Sequence, residues 1–251
     1  MDKLEARFDK ETKSLLHDAR ETYISTLTRA AHNKDTQAIK SATLKVQPDY
    51  ARIIKNSLTA AFVFGKTNAA KEIGKDAPGN PAEMLRQIDI QSDAIAEAQI
   101  AQIVGDSKSA YVQALNCGES IAVALAAADQ WADEAIDALT RDASQILTSG
   151  YINHGRSVVF DRFSPDVYAL QRSEILDEAT CNYCLSVDSR VIDKDDPFGS
   201  NTIFHSNCRG IWVAILQDEE DPPRIGGIPQ AIRDRFGDTV NDLIQPKKRK
   251  R

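Results

Sequence analysis

Residues 181–184 read Cys-Asn-Tyr-Cys and residues 205–208 read His-Ser-Asn-Cys, with twenty residues between the two pairs. Two residues between ligands let the backbone fold over a cation so that both side chains converge. A second pair then completes a tetrahedron, and thiolates with imidazole suit Zn²⁺ better than they suit oxygen-preferring ions. The spacing predicts a zinc module with Cys181, Cys184, His205 and Cys208 as its ligands. Four protein ligands leave no open position for water, so the expected role of Zn²⁺ is structural, with no catalytic residue implied. Residues 177–210 hold little apolar material. In such a segment metal binding, worth on the order of 10 kcal/mol, decides whether the chain folds.

The competing reading is a set of unrelated reduced cysteines and a surface histidine, which would rarely produce both paired spacings together. Cys117, between Asn116 and Gly118, stands apart from the other cysteines and reads as a small buried residue on a helix. His17, His32 and His154 have no neighbouring cysteine and read as surface or core residues.

Outward from the cysteines the pattern is β. After Phe163-Ser164-Pro165, the run Val167 to Leu176 mixes Val, Tyr and Ile with polar residues, Ser189 to Ile192 reads as a short strand, and Gly210 to Leu216 is the strongest strand of the chain. Trp212 is expected in its core. Upstream the pattern is helical. Leu4, Phe8, Leu15, Ala19, Tyr23, Leu27 and Ala30 recur on one helical face, with Asp2 and Glu5 as a capping box. A second helix starts near Gln47-Pro48-Asp49 and carries Tyr50, Ile53, Ile54, Leu58, Phe62 and Phe64. Gly74 to Asn80 interrupts, and Asn80-Pro81-Ala82-Glu83 restarts a helix. A further break is expected at Gly105-Asp106. The stripe Ala132, Ile136, Leu139, Ala143 and Ile146 follows, with Trp131 taken as core. Beyond 221–227 (DPPRIGG), a last helix starts near Pro229 and carries Ile232, Phe236, Val240 and Leu243.

These elements predict an α+β, mainly α chain. Its expected divisions are a helical body at 1–163 with a break near 74–80, a zinc-stapled β module at 164–217, a loop and terminal helix at 218–245, and a basic tail at 246–251. Hydrophobic residues make up 42% and charged residues 27% of the 251, the composition of an ordinary globular protein. No apolar run approaches the roughly twenty residues of a membrane span, and the first residues carry no apolar leader. The net charge is −6; without the five basic residues Lys247, Lys248, Arg249, Lys250 and Arg251 it is −11. An acidic body does not suit general DNA coating.

Around the cysteines lies the run Asp177, Thr180, Cys181, Cys184, Asp188, His205, Cys208 and Arg209. It resembles the head-morphogenesis (phage Mu protein F-like) minor head proteins, in which Asp-x-x-Thr-Cys-x-x-Cys is followed by Asp-Gly and His-x-x-Cys-Arg. The resemblance is specific over 167–216, extends weakly to Ile152-Asn153-His154-Gly155-Arg156, and over 1–125 reaches only helical character. Ser189 stands where a glycine is usual, which suggests a local difference in that turn, and Gly210 stands where members often carry a further cysteine. The resemblance implies a structural protein of tailed-phage heads. Its expected partners are the portal and capsid proteins, with packaged DNA as a further partner for the basic tail. Its expected location is the virion, and the host cytoplasm during assembly, with no membrane partner.

Two other readings compete. A metal-dependent nuclease of the HNH type would use Asp193, Asp195 and Asp196, but His205 is consumed as a ligand and no second histidine adjoins it. A DNA-binding zinc module would need a basic surface, whereas Asp188, Asp193, Asp195 and Asp196 outnumber Arg190 and Lys194. The KKRKR tail reads either as a solvated terminus or as a non-specific, salt-sensitive contact to DNA.

Overall fold

The computed structural model describes residues 2–174, 180–196, 208–219, 223–224 and 226–236; at 2, 142–146, 233, 235 and 236 it describes the backbone alone. The elements, in chain order, are α1 (Asp2–His32), α2 (Thr36–Ser41), α3 (Gln47–Glu72), α4 (Ala82–Asn116), α5 (Ile121–Arg162), β1 (Val167–Ser173), α6 (Asn182–Val187), β2 (Val191–Asp193), β3 (Ile211–Leu216) and α7 (Gln230–Phe236). The chain is mainly α with a small antiparallel sheet, as the sequence predicts.

Two compact units divide it, and the divisions fall inside helices rather than at residue 163. One unit comprises Glu5–Asn56 and Gln87–Ser144; the other comprises Met1–Leu4, Ser57–Arg86 and Gln145–Arg251. The change from helix to strand at 163/164 is therefore a change of secondary structure within a single unit.

The first unit is helical. Phe8, Thr12, Leu16, Ala19, Tyr23, Leu27 and Ala30 of α1 are buried at steps of three and four, the spacing of one helical face. The buried leucine is Leu16; the expected Leu15 is only half-buried. The Tyr23 hydroxyl meets Ser107 Oγ at 3.2 Å, and Ser107 donates to the Ala128 carbonyl at 2.8 Å, linking α1, α4 and α5 by buried polar contacts. The expected break at Gly105-Asp106 is absent: α4 runs unbroken to Asn116. A glycine inside a helix costs only about 1 kcal/mol, and burial of Ile103, Val104 and Ser107 beside it outweighs that. Cys117 corrects a second expectation, since it is exposed, beyond the end of α4. Trp131 corrects a third, being 53% exposed.

In the other unit, α3 and α5 approach closely through two glycines. A Cβ at Gly65 would lie 2.0 Å from the Ile152 carbonyl oxygen, and one at Gly155 would lie 2.1 Å from that of Phe62. Both obstacles are backbone, which cannot step aside as a side chain can. The sheet has the order β2-β1-β3. A bulge between Val167 and Ala169 puts Val167 in phase with Leu170, so both join a core with Ala69, Ala70, Ile73, Val159, Phe160 and Trp212. Ala169 packs on the other face with Val191 and Ile215. Ile228 and Ile232, around the start of α7, enter the first of these cores; Val240 and Leu243 lie outside the described residues.

β3 is an outer strand, whose far edge would otherwise present backbone groups without partners. Side chains of two helices fill them. Asn153 donates to the Gly210 carbonyl at 2.9 Å and accepts from Trp212 N–H at 3.2 Å. Arg156 Nε donates to the Trp212 carbonyl at 2.5 Å, and Glu72 Oε1 accepts from Ala214 N–H at 2.8 Å. Arg156 and Glu72 also pair with each other. The Ile152-to-Arg156 stretch thus supplies two side chains for the strand edge and one glycine for the helix contact.

Overpacking a tight contact costs about 1–3 kcal/mol. Gly65→Ala and Gly155→Ala should each lose at least about 2 kcal/mol, read from urea midpoints. Gly79→Ala, where a Cβ meets open space, should leave the midpoint unchanged.

Candidate metal centre

The site forms where β1 ends, α6 begins and the chain enters β3. Cys181 caps α6, its Sγ accepting from Cys184 N–H at 3.5 Å. One turn of helix carries Cys184 inward to 3% exposure, and Cys208, just ahead of β3, is 1% exposed. Glu174 follows the last residue of β1. One oxygen of Glu174 and the sulfurs of Cys184 and Cys208 lie within 4.8 Å of one another. Of the four ligands expected from sequence, the structure brings Cys184 and Cys208 together. Cys181 stands beside them at the helix start but outside that cluster, and His205 lies outside the described residues.

Arg172 organises the cluster. Its Nε donates to Glu174 Oε1 at 2.7 Å and its Nη2 to Cys208 Sγ at 3.0 Å. The guanidinium lies 5.4 Å from the Trp212 ring centroid, within cation–π range. The side chains of Arg172 and Glu174 are 0% and 2% exposed. Gly210 makes room for this arrangement: a Cβ there would fall 2.3 Å from the Glu174 carboxylate. A cysteine at 210 would compete for the space that Glu174 occupies.

Asp188 holds the other side. Its Oδ1 accepts from Glu174 N–H at 2.9 Å, tying the end of β1 to the end of α6. Ser189 donates its N–H to the Arg172 carbonyl at 2.8 Å. Ser189 has φ +60°, a left-handed conformation that glycine takes without strain and other residues take at a cost. A glycine at 189 would hold this backbone without strain, and the chain holds it with a serine.

Electrostatics set the chemistry. Burial raises the Glu174 carboxyl above its ordinary range, with Arg172 opposing and Cys208 adding to the rise. The Cys184 thiol is pushed up first by its hydrogen bond to Cys208, then by burial, then by the negative groups Cys208, Glu174 and Cys181. A bound cation reverses this logic by supplying the missing positive charge and ionising its thiol ligands. Two thiolates and a carboxylate against one guanidinium leave two negative charges, which a divalent ion neutralises.

Sequence reasoning missed Arg172 and Glu174. In the run Val167 to Leu176 they stand simply among the polar residues of a strand. The available signal was their spacing: residues two apart at the end of a strand share a face, here the face of Leu170, which precedes them by two. A cavity of about 310 Å³ adjoins the cluster, lined in part by Phe64, Ile152, Arg156, Glu174 and Arg209, so the motif arginine Arg209 opens on the same space as Glu174.

Replacing Ser189 by glycine should stabilise the protein by about 1 kcal/mol by relieving the left-handed backbone; a thermal melt comparing the two proteins checks this. No family model, curated protein or solved structure matches this chain.

Proposed function

We propose that this chain is a structural minor head protein of a tailed bacteriophage, acting in head assembly at or near the portal, and that its buried cysteine cluster holds a structural Zn²⁺. The observation that carries the reading is the convergence of motif residues on one buried centre. Cys184 and Cys208 meet there, Asp188 ties its two sides together, and the residue after Asp188 has the backbone conformation for which glycine is suited. Soft sulfur donors in a buried cluster, which would carry two net negative charges once a cation ionises its thiols, suit Zn²⁺. Cys184 and Cys208 would hold it, with Cys181 beside them and His205 as the fourth expected ligand. The ion would supply cross-linking energy between α6 and the approach to β3, with no reaction step assigned to it.

Portal and capsid proteins are the proposed partners, and packaged DNA is the proposed partner of the KKRKR tail, which lies outside the described residues. Such a tail would bind phosphates without regard to sequence and release them as salt rises. Among the described residues no helix is long and apolar enough to cross a membrane. The virion, with the host cytoplasm during assembly, is the proposed location.

Elemental mass spectrometry of reduced, chelator-free protein should find a single zinc per chain, lost in Cys184→Ser and in His205→Ala. In phage particles, Cys184→Ser should abolish incorporation into heads while the helical unit of 5–56 and 87–144 still unfolds cooperatively. Zinc-free protein with an intact β module, or normal incorporation of Cys184→Ser, would overturn the reading.

A further inference from the structure

We infer that Glu174 is itself a metal ligand, giving the centre a carboxylate oxygen beside the sulfurs of Cys184 and Cys208. This rests on the metal-binding reading above and changes its ligand set: Glu174 takes the place of Cys181, which stands outside the cluster, so the count of four is kept. Three independent features carry it. The first is convergence: the carboxylate oxygen and both sulfurs lie within 4.8 Å of one another, so small side-chain adjustments bring them to the roughly 3.3–3.8 Å at which tetrahedral donors of one ion stand when bond lengths are about 2.0–2.3 Å.

The second is preparation of the space. Gly210 has no side chain where the Glu174 carboxylate rests, at a site a Cβ would enter to 2.3 Å. The Glu174 backbone is pinned by Asp188 Oδ1 at 2.9 Å, so the carboxylate is aimed rather than wandering. The third is the hydrogen-bonding of the donors. Arg172 bonds Glu174 through one nitrogen and Cys208 through another, so one guanidinium orients two of the three donors. That is the arrangement by which residues outside a metal's ligand shell fix the ligands within it. A carboxylate has two oxygens and four lone-pair sites; Arg172 takes Oε1, and lone pairs remain for an ion. Glu174 also lines the adjoining cavity.

Loss of affinity alone would not distinguish a ligand from a supporting residue, because supporting residues also cost about 10–100-fold in metal affinity. The ligand field does distinguish them. Full-length wild type, Glu174→Gln, Glu174→Asp and Cys184→Ser would be loaded with cobalt(II), and their visible spectra recorded under metal excess. The expected result is a wild-type spectrum with thiolate charge transfer, and in Glu174→Gln a displaced d–d envelope with the charge-transfer intensity per bound metal retained. Glu174→Asp keeps the charge opposite Arg172 while withdrawing the carboxylate by one methylene, and should also move the d–d bands. It carries the test if Glu174→Gln fails to fold. Identical d–d bands in wild type and in whichever variants fold would overturn the ligand role even if affinity fell at least tenfold. Wild-type protein that takes up no cobalt, or charge transfer unaltered in Cys184→Ser, would sink the metal reading along with it.

Discussion

An outer β-strand needs partners for the backbone groups on its far edge, and in this protein two helices provide them with side chains. Gly210, Trp212 and Ala214 alternate along that edge, and Asn153, Arg156 and Glu72 answer them in turn. The strand is thereby fixed to α3 and α5 as well as to β1. Because Cys208 and Gly210 adjoin the same strand, the position of the cysteine–glutamate cluster depends on this seam. The Gly65 and Gly155 contact belongs to the same constraint: the two helices must run close if both are to reach one strand.

The second consequence concerns Arg172, a full charge with 0% side-chain exposure. Removing one member of a buried pair leaves the other without compensation, at roughly 3–5 kcal/mol. Here the guanidinium answers to a carboxylate, a sulfur and an indole face, so the chemistry of the cluster and the solvency of the arginine are one problem. A structure that buried Arg172 without Glu174 and Cys208 would carry an uncompensated ion in the core that also holds Trp212 and Leu170.

Much of this was legible in the sequence, for physical reasons that also explain the failures. Helical periodicity marked Phe8, Tyr23 and Leu27 because a long amphipathic helix repeats its burial many times. It slipped at Leu15 and Leu16, adjacent leucines between which only the neighbouring helices choose. Gly105 looked like a break because the local cost is visible in sequence and the burial that offsets it is not. Trp131 and Cys117 show that residue type does not fix exposure at a single position. The paired spacing singled out Cys184 and Cys208, which the structure brings together, because a Cys-x-x-Cys and a His-x-x-Cys pair are each visible locally. Arg172 and Glu174 escaped because their partners lie across the fold, and a charged strand end has the same composition whether it meets water or a metal.

The unit that carries the centre is assembled from chain segments separated by the helical bundle, with its last pieces beyond residue 144. The bundle, by contrast, has all of its residues once Ser144 has been made. Synthesis runs from the N-terminus, so the ribosome delivers a complete bundle first and leaves residues 57–86 waiting for their counterparts. Cys181 and Cys184 emerge before Cys208, and before the strand whose edge anchors the site. For that interval the centre exists only as a pair of thiols on a nascent chain. The order of translation makes assembly of this cluster a late event in the life of the protein.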